Sequence, residues 1–150
     1  AALADGLRTF RALPHRLEPV REVGGVLWIN DSKATNIAST EVALSALDRP
    51  YVLLLGGRHK REAHPGPAPP WAKGCRAVVA NGGAGPRVQA DLGGSVRVVG
   101  AGDFADVLST AGRLATPGDA VLLSPACSSY DMFRNYEERG AQFRAAVETL

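Results

Sequence analysis

Residues 51–60 read YVLLLGGRHK, an unbroken apolar run that gives way at once to glycines and cations. A half-exposed strand would alternate apolar and polar residues, whereas a strand covered on both faces is apolar throughout. Further short apolar runs follow, each separated from the next by a stretch with helical character. This alternation predicts a parallel sheet with helices on both faces. The later predicted strands are residues 75–80, 96–99 and 120–123, and the predicted helices are residues 35–47, 86–92, 103–115 and 132–149.

A β-hairpin is predicted upstream of these elements. Residues 18–23 and 26–30 have strand character, and Gly24 and Gly25 between them suit a tight turn. The hairpin would add an antiparallel strand at one edge. The predicted fold class is therefore α/β, with an open, mostly parallel sheet of about six strands, one antiparallel edge strand and helices on both faces.

The chain is predicted to contain one domain, residues 14–150, preceded by a connecting segment, residues 1–13. In that segment Leu3 and Leu7 recur at near-helical spacing, and Pro14 ends the pattern. We expect the segment to be a linker or a connecting helix from an upstream domain.

The composition is that of a globular protein and argues against several function classes. Hydrophobic residues make up 45% of the chain and charged residues 21%, and no apolar run approaches the roughly 20 residues that cross a bilayer. The net charge of +2 is too small to favour nucleic acid or an anionic membrane as a partner. Cys75 and Cys127 lack metal-ligand spacing, so no metal site or disulfide is predicted. We expect a cytoplasmic protein.

Three polar loops follow predicted strands, where an open parallel sheet binds its ligands. The first, NDSKATN at residues 30–36, combines helix-capping side chains with Lys33. Because a helix start carries partial positive charge, a lysine in the first turn is unfavourable by about 0.3–1 kcal/mol. A bound anion would reverse that sign, so the loop is predicted to bind one. Helix capping alone is the alternative for the small polar residues.

The second loop, GGRHK at residues 56–60, begins with paired glycines that let the backbone turn or approach a ligand closely. Arg58 and Lys60 could then reach a carboxylate or a phosphate. The G-x-x-x-x-G-K-[ST] pattern of a phosphate-binding P-loop is absent from the sequence. A plain turn after a strand explains these residues equally well.

The third loop, SPACSSYDMFRNY at residues 124–136, crowds hydroxyls and rings around the predicted start of the last helix. Serine hydroxyls and free N–H groups there suit a carboxylate. Phe133 and Tyr136, three residues apart, could wall a pocket. Two alternatives stay open, because Ser128 and Asp131 have the form of a capping box and Phe133 could belong to the core.

Four segments taken together resemble one family. HRLE at residues 15–18, NDSKATN at 30–36, LLGGRHK at 54–60 and LLSPACSSYDMFRNYEERG at 122–140 are similar, in this order, to the Mur ligases. Among these ATP-dependent amide ligases, the resemblance is to the members that join D-glutamate to UDP-N-acetylmuramoyl-L-alanine. It implies that this chain is the Rossmann-like carboxy-terminal domain, which follows a UDP-sugar domain and a central ATPase domain.

The resemblance also implies a reaction and roles for particular residues. ATP would phosphorylate the UDP-N-acetylmuramoyl-L-alanine carboxylate, and the amine of D-glutamate would then displace the phosphate. Lys33 and Lys60 would be the catalytic cations, with Lys33 beside the transferring phosphate and Lys60 on a D-glutamate carboxylate. The implied substrate-binding residues are Thr35, Lys60, Ser129, Tyr130, Phe133 and Tyr136, and the implied ATP-binding residues are His15, Arg16, Asn30 and Asp31.

The resemblance implies further that the central domain would hold most of the ATP and its magnesium. The carboxy-terminal domain alone is expected to be inactive, and the complete enzyme is expected to be a monomer of peptidoglycan precursor synthesis. Two other functions stay open. One is a non-catalytic α/β module that binds an anion or a nucleotide, and the other is a different Mur or folylpolyglutamate-type ligase.

Overall fold

The computed structural model describes residues 14–56, 73–81, 85–92, 96–126 and 133–150. Within these ranges it contains a six-stranded sheet and four helices. The strands are β1 (Glu18–Val23), β2 (Val26–Asn30), β3 (Tyr51–Gly56), β4 (Cys75–Asn81), β5 (Val98–Gly100) and β6 (Ala120–Ala126). The helices are α1 (Ile37–Ser45), α2 (Gly85–Leu92), α3 (Phe104–Leu114) and α4 (Tyr136–Glu148).

The six strands lie in the order β1-β2-β6-β3-β4-β5. β1 pairs with β2 in an antiparallel direction, and the other pairings among the described strands are parallel. Gly24 and Gly25, with φ angles of 57° and 80°, form the turn between β1 and β2, in a region that glycine adopts freely. The predicted mostly parallel sheet with one antiparallel edge strand is confirmed.

Helices cover both faces of the sheet, as predicted. α1 packs on one face through Leu44, in the same cluster as Leu53 of β3. α4 packs on the other face through Phe143, in the same cluster as Leu54 of β3. Because successive side chains of a strand point to opposite faces, β3 contributes to both cores, and all six of its residues are buried. This double burial explains the unbroken apolar run in the sequence.

α4 begins later than the sequence predicted. Residues 133–135 are not helical, and Asn135 is the N-cap, because its Oδ1 accepts the N–H of Glu138 at 2.8 Å. The Glu138 carboxylate accepts in return the N–H of Arg134 at 3.1 Å. The two residues form a variant of a capping box. The predicted start at residue 132 is therefore wrong.

Some predictions concern segments outside the described residues. These are the connecting segment at residues 1–13 and the loop after β3 at residues 57–72. The division of the chain into residues 1–13 and 14–150 therefore stays a prediction. None of the helices in the described ranges has both the length and the apolar character needed to cross a membrane.

Candidate functional site

The carboxyl ends of three neighbouring strands lie side by side. β6 lies between β2 and β3, and Asn30 of β2 and Leu54 of β3 both pair with Leu123 of β6. The three polar loops that stand out in the sequence begin just beyond these positions. The prediction that the three loops share one edge of the sheet is thus confirmed for the strand ends from which they begin. A parallel sheet binds its ligands at this edge.

The backbone of the loop after β2 is fixed by hydrogen bonds. The N–H of Asp31 donates to a carbonyl of β6 at 2.8 Å, and the N–H of Lys33 donates to the carbonyl of His15 at 3.0 Å. Between them, the N–H of Ser32 donates to the side chain of Asn30 at 3.1 Å. Asp31 and Ser32 are buried, whereas Lys33 is exposed. The loop therefore presents a single cation to solvent from a fixed backbone.

Lys33 does not lie in the first turn of α1, and that part of the sequence interpretation is wrong. The helix begins at Ile37, and Asn36 caps it by accepting the N–H of Ser39 at 2.8 Å. The repulsion expected from the helix dipole does not apply at Lys33, because this effect falls off beyond the first turn. A predicted anion site at this loop depends instead on the cations that the fold brings together.

Asp31 is a buried acid at the base of this loop. Its Oδ1 accepts the N–H of Leu17 at 3.0 Å, and its Oδ2 accepts the hydroxyl of Ser124 at 2.8 Å. Burial raises the pKa of Asp31 to about 6, and the two hydrogen bonds and the charge of Arg16 oppose that rise only in part. Each carboxylate oxygen has a second lone pair, so Asp31 is a candidate acceptor for a ligand hydroxyl.

A strained segment before β1 carries two of the predicted residues. His15 and Leu17 have φ angles of 64° and 45°, which non-glycine residues seldom adopt. The His15 ring packs on Gly140 of α4, where an added Cβ would overlap its Nδ1. The same Nδ1 lies 3.0 Å from the amide nitrogen of Asn30. These contacts hold a conformation in which Arg16 lines the cleft beside the loop.

An open cleft of about 210 Å³ lies between this segment, the loop after β2 and α1. Arg16, Lys33 and the buried Asp31 meet in it. Val42 of α1 adds an apolar wall and is 66% exposed. This combination suits a ligand that has an anionic group, a hydroxyl and an apolar face.

Three of the predicted substrate-binding residues lie in the described ranges, and they differ in how deeply they are buried. Thr35 and Tyr136 are half-buried, and the Tyr136 ring meets that of His15 edge-on, with centroids 6.1 Å apart. Phe133 is buried, and its ring meets that of Phe104 edge-on at 5.0 Å. That contact favours the core interpretation of Phe133, and a role in substrate binding stays a prediction. Three predicted residues lie outside the described ranges: Lys60, Ser129 and Tyr130.

Arg139 of α4, which no sequence motif singled out, is 3% exposed. Its Nε donates to the hydroxyl of Ser32 at 2.9 Å, and its Nη2 donates to the main-chain carbonyl of Ser32 at 2.8 Å. The Ser32 hydroxyl donates in turn to the carbonyl of Tyr136 at 2.7 Å. A signal was present in the sequence, because Arg139 precedes Phe143 by four residues and Val147 by eight and so lies on the buried stripe of α4.

A magnesium site is not found in the part of the chain that the structure describes. No group of three or more His, Cys, Asp or Glu side chains in those ranges could hold a metal ion. Among the described residues that line the cleft, Asp31 is the one carboxylate, and the cations Arg16 and Lys33 beside it would repel a metal ion. The cleft therefore suits the phosphates of a nucleotide, through Arg16 and Lys33, better than a metal ion.

Comparisons with known proteins agree with this geometry. The family model described as Mur ligase, glutamate ligase domain, matches residues 15–127. Relatives named UDP-N-acetylmuramoylalanine–D-glutamate ligase include one from Salinibacter ruber, 48% identical over 99% of this chain and 32% of its own length. One from Rubrobacter xylanophilus is 52% identical over 95% of this chain and 33% of its own length. The chain thus spans about a third of the length of these curated relatives.

A solved structure shares the fold. It is a domain from Haemophilus ducreyi 35000HP, described as coming from a UDP-N-acetylmuramate:L-alanyl-γ-D-glutamyl-meso-diaminopimelate ligase. It aligns with a TM-score of 0.50 and 20% identity over 74% of this chain and 88% of the solved one. An identity this low supports the fold alone. The family model, which matches most of the chain, and the relatives at up to 52% identity together show that this chain belongs to the Mur ligase family and contains its glutamate ligase domain.

Proposed function

We propose that this chain is the carboxy-terminal, amino-acid-binding domain of an ATP-dependent ligase that joins D-glutamate to UDP-N-acetylmuramoyl-L-alanine. The observation that carries the proposal is the cleft where Arg16, Lys33 and the buried Asp31 meet beyond the carboxyl ends of the strands. The name shared by the relatives supports the choice of substrates. The complete enzyme would be a cytoplasmic monomer that acts in peptidoglycan precursor synthesis.

The cleft would bind one side of the nucleotide. Asp31, held by Leu17 and Ser124, would accept a ribose hydroxyl, and Arg16 would reach the phosphates. The neighbouring His15 and Asn30 would act by holding the segment of Arg16 in place. The central ATPase domain would bind most of the triphosphate and its magnesium, which assists phosphoryl transfer by neutralising charge on the phosphate oxygens.

Lys33 would lie between the nucleotide and the amino acid. Its backbone N–H donates to the carbonyl of His15 at 3.0 Å, so the main chain from which the lysine side chain extends is held in place. A cation supplied from this fixed main chain would stabilise the negative charge that develops on the transferring phosphoryl group. The carboxylates of D-glutamate would be held by Lys60, Thr35, Ser129 and the backbone near Tyr136, beside the rings of Tyr130 and Phe133.

The test is phosphate release by the complete ligase. Phosphate should form only when ATP, UDP-N-acetylmuramoyl-L-alanine and D-glutamate are all present, and L-glutamate should not replace D-glutamate. Lys33→Ala should lower kcat by about a hundredfold or more, as the loss of a preorganised charge does in other enzymes. The matched control is Lys73→Ala, because Lys73 is exposed and precedes the amino end of β4, away from the cleft. Its kcat should not change.

Other outcomes would identify the remaining candidates. Turnover with L-glutamate in place of D-glutamate would favour a folylpolyglutamate-type ligase. Nucleotide binding without phosphate release, with any amino acid tried, would favour a non-catalytic module. Wild-type turnover in Lys33→Ala would contradict the proposed role of the cleft.

A further inference from the structure

We propose that Arg139 is a positioning residue for Lys33, and that it acts through Ser32 to set where the lysine ammonium lies during the reaction. The inference rests on the proposed function, in which Lys33 lies beside the transferring phosphate. Arg139 is 3% exposed and lies beneath the loop, so its effect on catalysis is indirect.

Arg139 makes one of two hydrogen bonds that hold the peptide plane between Ser32 and Lys33. The carbonyl of Ser32 and the N–H of Lys33 belong to the same planar peptide unit. Arg139 donates to that carbonyl at 2.8 Å, and the N–H donates to the carbonyl of His15 at 3.0 Å. Because the plane is held on both sides, it cannot rotate without breaking a buried hydrogen bond. The orientation of this plane sets the direction in which the Lys33 side chain leaves the backbone.

The side chain of Ser32 is held by the same guanidinium. Nε of Arg139 donates to its hydroxyl at 2.9 Å, and that hydroxyl donates to the carbonyl of Tyr136 at 2.7 Å. Ser32 is fully buried. α4 therefore fixes both the main chain and the side chain of the residue that separates Asp31 from Lys33.

Stability alone does not account for an arginine at this position. Arg139 lies on the buried stripe of α4, four residues before the fully buried Phe143. A buried guanidinium loses its hydration, and a well-packed apolar side chain of similar volume is often as stabilising or more so. The two hydrogen bonds at Ser32 give the guanidinium a role that an apolar side chain could not take.

The arrangement also requires a guanidinium rather than an ammonium. The two oxygens of Ser32 are met by two N–H groups that point from one rigid plane. A lysine is a flexible point charge and would not hold both oxygens in a fixed geometry. Arg139→Lys therefore keeps the charge and removes the paired contact.

The experiment is a double-mutant cycle in the complete ligase with Arg139→Lys and Ser32→Ala, singly and together. For Arg139→Lys we expect kcat per folded molecule to fall tenfold to a hundredfold, since a misplacement of about 1 Å costs on that order. KM for UDP-N-acetylmuramoyl-L-alanine should stay unchanged, because other domains would bind it. Since both changes remove the bond from Nε of Arg139 to the Ser32 hydroxyl, the loss in kcat of the double variant should be smaller than the product of the two single losses.

Arg144→Lys is the matched control. Arg144 also lies on α4, but its side chain is 51% exposed and pairs at the surface with Glu18 at 3.7 Å and Glu148 at 3.6 Å. This variant should keep wild-type kcat, and thermal unfolding of each variant gives the folded fraction at the assay temperature. A purely structural role for Arg139 would lower the unfolding temperature and leave kcat per folded molecule unchanged.

Three results would overturn the proposal: an Arg139→Lys loss in kcat no greater than that of Arg144→Lys, losses that multiply independently in the double variant, or a loss that disappears after correction for the folded fraction. The proposed function is tested separately. If the unmodified ligase prefers another amino acid, that function is refuted, and the same cycle with the preferred amino acid still decides the role of Arg139.

Discussion

Two buried aspartates lie at opposite ends of the sheet, and folding shifts their pKa values in opposite directions. Asp31, beyond the carboxyl end of β2, is 5% exposed, and Asp119, before the amino end of β6, is 1% exposed. Burial raises the pKa of Asp31 to about 6. Burial also acts to raise the pKa of Asp119, but hydrogen bonds from Thr116 and Arg76 outweigh it and hold the pKa below its ordinary value.

The difference lies in what each carboxylate accepts. Asp119 Oδ2 accepts the N–H and the hydroxyl of Thr116 at 2.9 and 3.0 Å, and Nε of Arg76 lies 3.3 Å from it. Asp31 accepts one backbone N–H and one hydroxyl. The fold thus stabilises the charged form of Asp119, which holds the turn before β6 together. It destabilises the charged form of Asp31, so the ionised carboxylate lowers the stability of the folded chain. A buried carboxylate that is destabilised in this way is typical of a functional site.

The largest expected difference between the two aspartates is in activity. Asp31→Asn in the complete ligase should lower kcat/KM for ATP tenfold to a hundredfold, because the amide keeps the shape of the side chain and loses a charged hydrogen-bond acceptor, a loss of about 1.5–3 kcal/mol. The same change at Asp119 should leave kcat/KM per folded molecule within about twofold. Steady-state kinetics with varied ATP measures both values. Equal losses in the two variants would remove the functional distinction between these residues.

Most of the fold could be predicted from local sequence. The turn at Gly24 and Gly25, with positive φ at both residues, and the cap of α3 by Asp103, which accepts the N–H of Asp106 at 2.8 Å, each depend on residues close in the chain. The apolar run of β3 reports burial on both faces. Sequence patterns of this kind indicate where elements lie and that the loops after β2, β3 and β6 share an edge.

The details of the site depend on contacts between distant residues, which no local pattern reports. The two hydrogen-bond partners of the Asp31 side chain, Leu17 and Ser124, lie 14 and 93 residues away in the chain. The burial that raises the pKa of Asp31 is likewise a property of the folded chain, so the raised pKa could not be anticipated. Arg139 contacts Ser32 across 107 residues. A charged residue on an apolar helix stripe was the one sequence signal of that contact.

The free energy of unfolding of the chain should depend on pH through Asp31. The pKa of Asp31 is about 6 in the folded chain against an ordinary value of 3.8, so the folded chain binds this proton more tightly than the unfolded chain. Stability should therefore rise as the pH falls from about 7 towards about 4, by up to about 3 kcal/mol. Asp31→Asn should remove this rise and should be the more stable chain at neutral pH. Urea unfolding on either side of pH 6 measures both effects.

Asp119 provides the control for the sign of this effect. Its pKa is lowered by folding, so its contribution to stability is present above its ordinary value and is lost as the pH falls through the lower, folded value. The two aspartates therefore do not compete between about pH 4 and about pH 7. A rise in stability that persists in Asp31→Asn would place the titrating group elsewhere.

Asp119→Asn should lower the free energy of unfolding at neutral pH by about 2 kcal/mol. The amide replaces an acceptor oxygen with a donor, which cannot satisfy both Thr116 and Arg76. The loss is limited because the Arg76 side chain is 51% exposed and can be hydrated when its partner is removed. Urea unfolding compares the variant with the unmodified chain. If Asp31→Asn and Asp119→Asn shift stability in the same direction, the contrast between the two carboxylates is wrong.

Ser124→Ala should have the smallest effect on stability among these changes. It tests whether the hydrogen bond from Ser124 helps to set the pKa of Asp31. The hydroxyl of Ser124 donates to Oδ2 of Asp31 at 2.8 Å and also lies 3.1 Å from the hydroxyl of Thr40. Loss of a bond to the charged form should raise the pKa of Asp31 further, so the midpoint of the pH-dependent stability should move to higher pH. Stability at neutral pH should fall by about 1 kcal/mol.

The matched control for this change is Ser45→Ala, which removes a hydroxyl that donates to the carbonyl of Val42 at an exposed site of α1. It should leave the midpoint unchanged, because Ser45 makes its bond away from Asp31. If Ser124→Ala also lowers stability without moving the midpoint, the serine donates to Thr40 instead. Asp31 would then hold its charge with one backbone hydrogen bond, which would make its contrast with Asp119 greater rather than smaller.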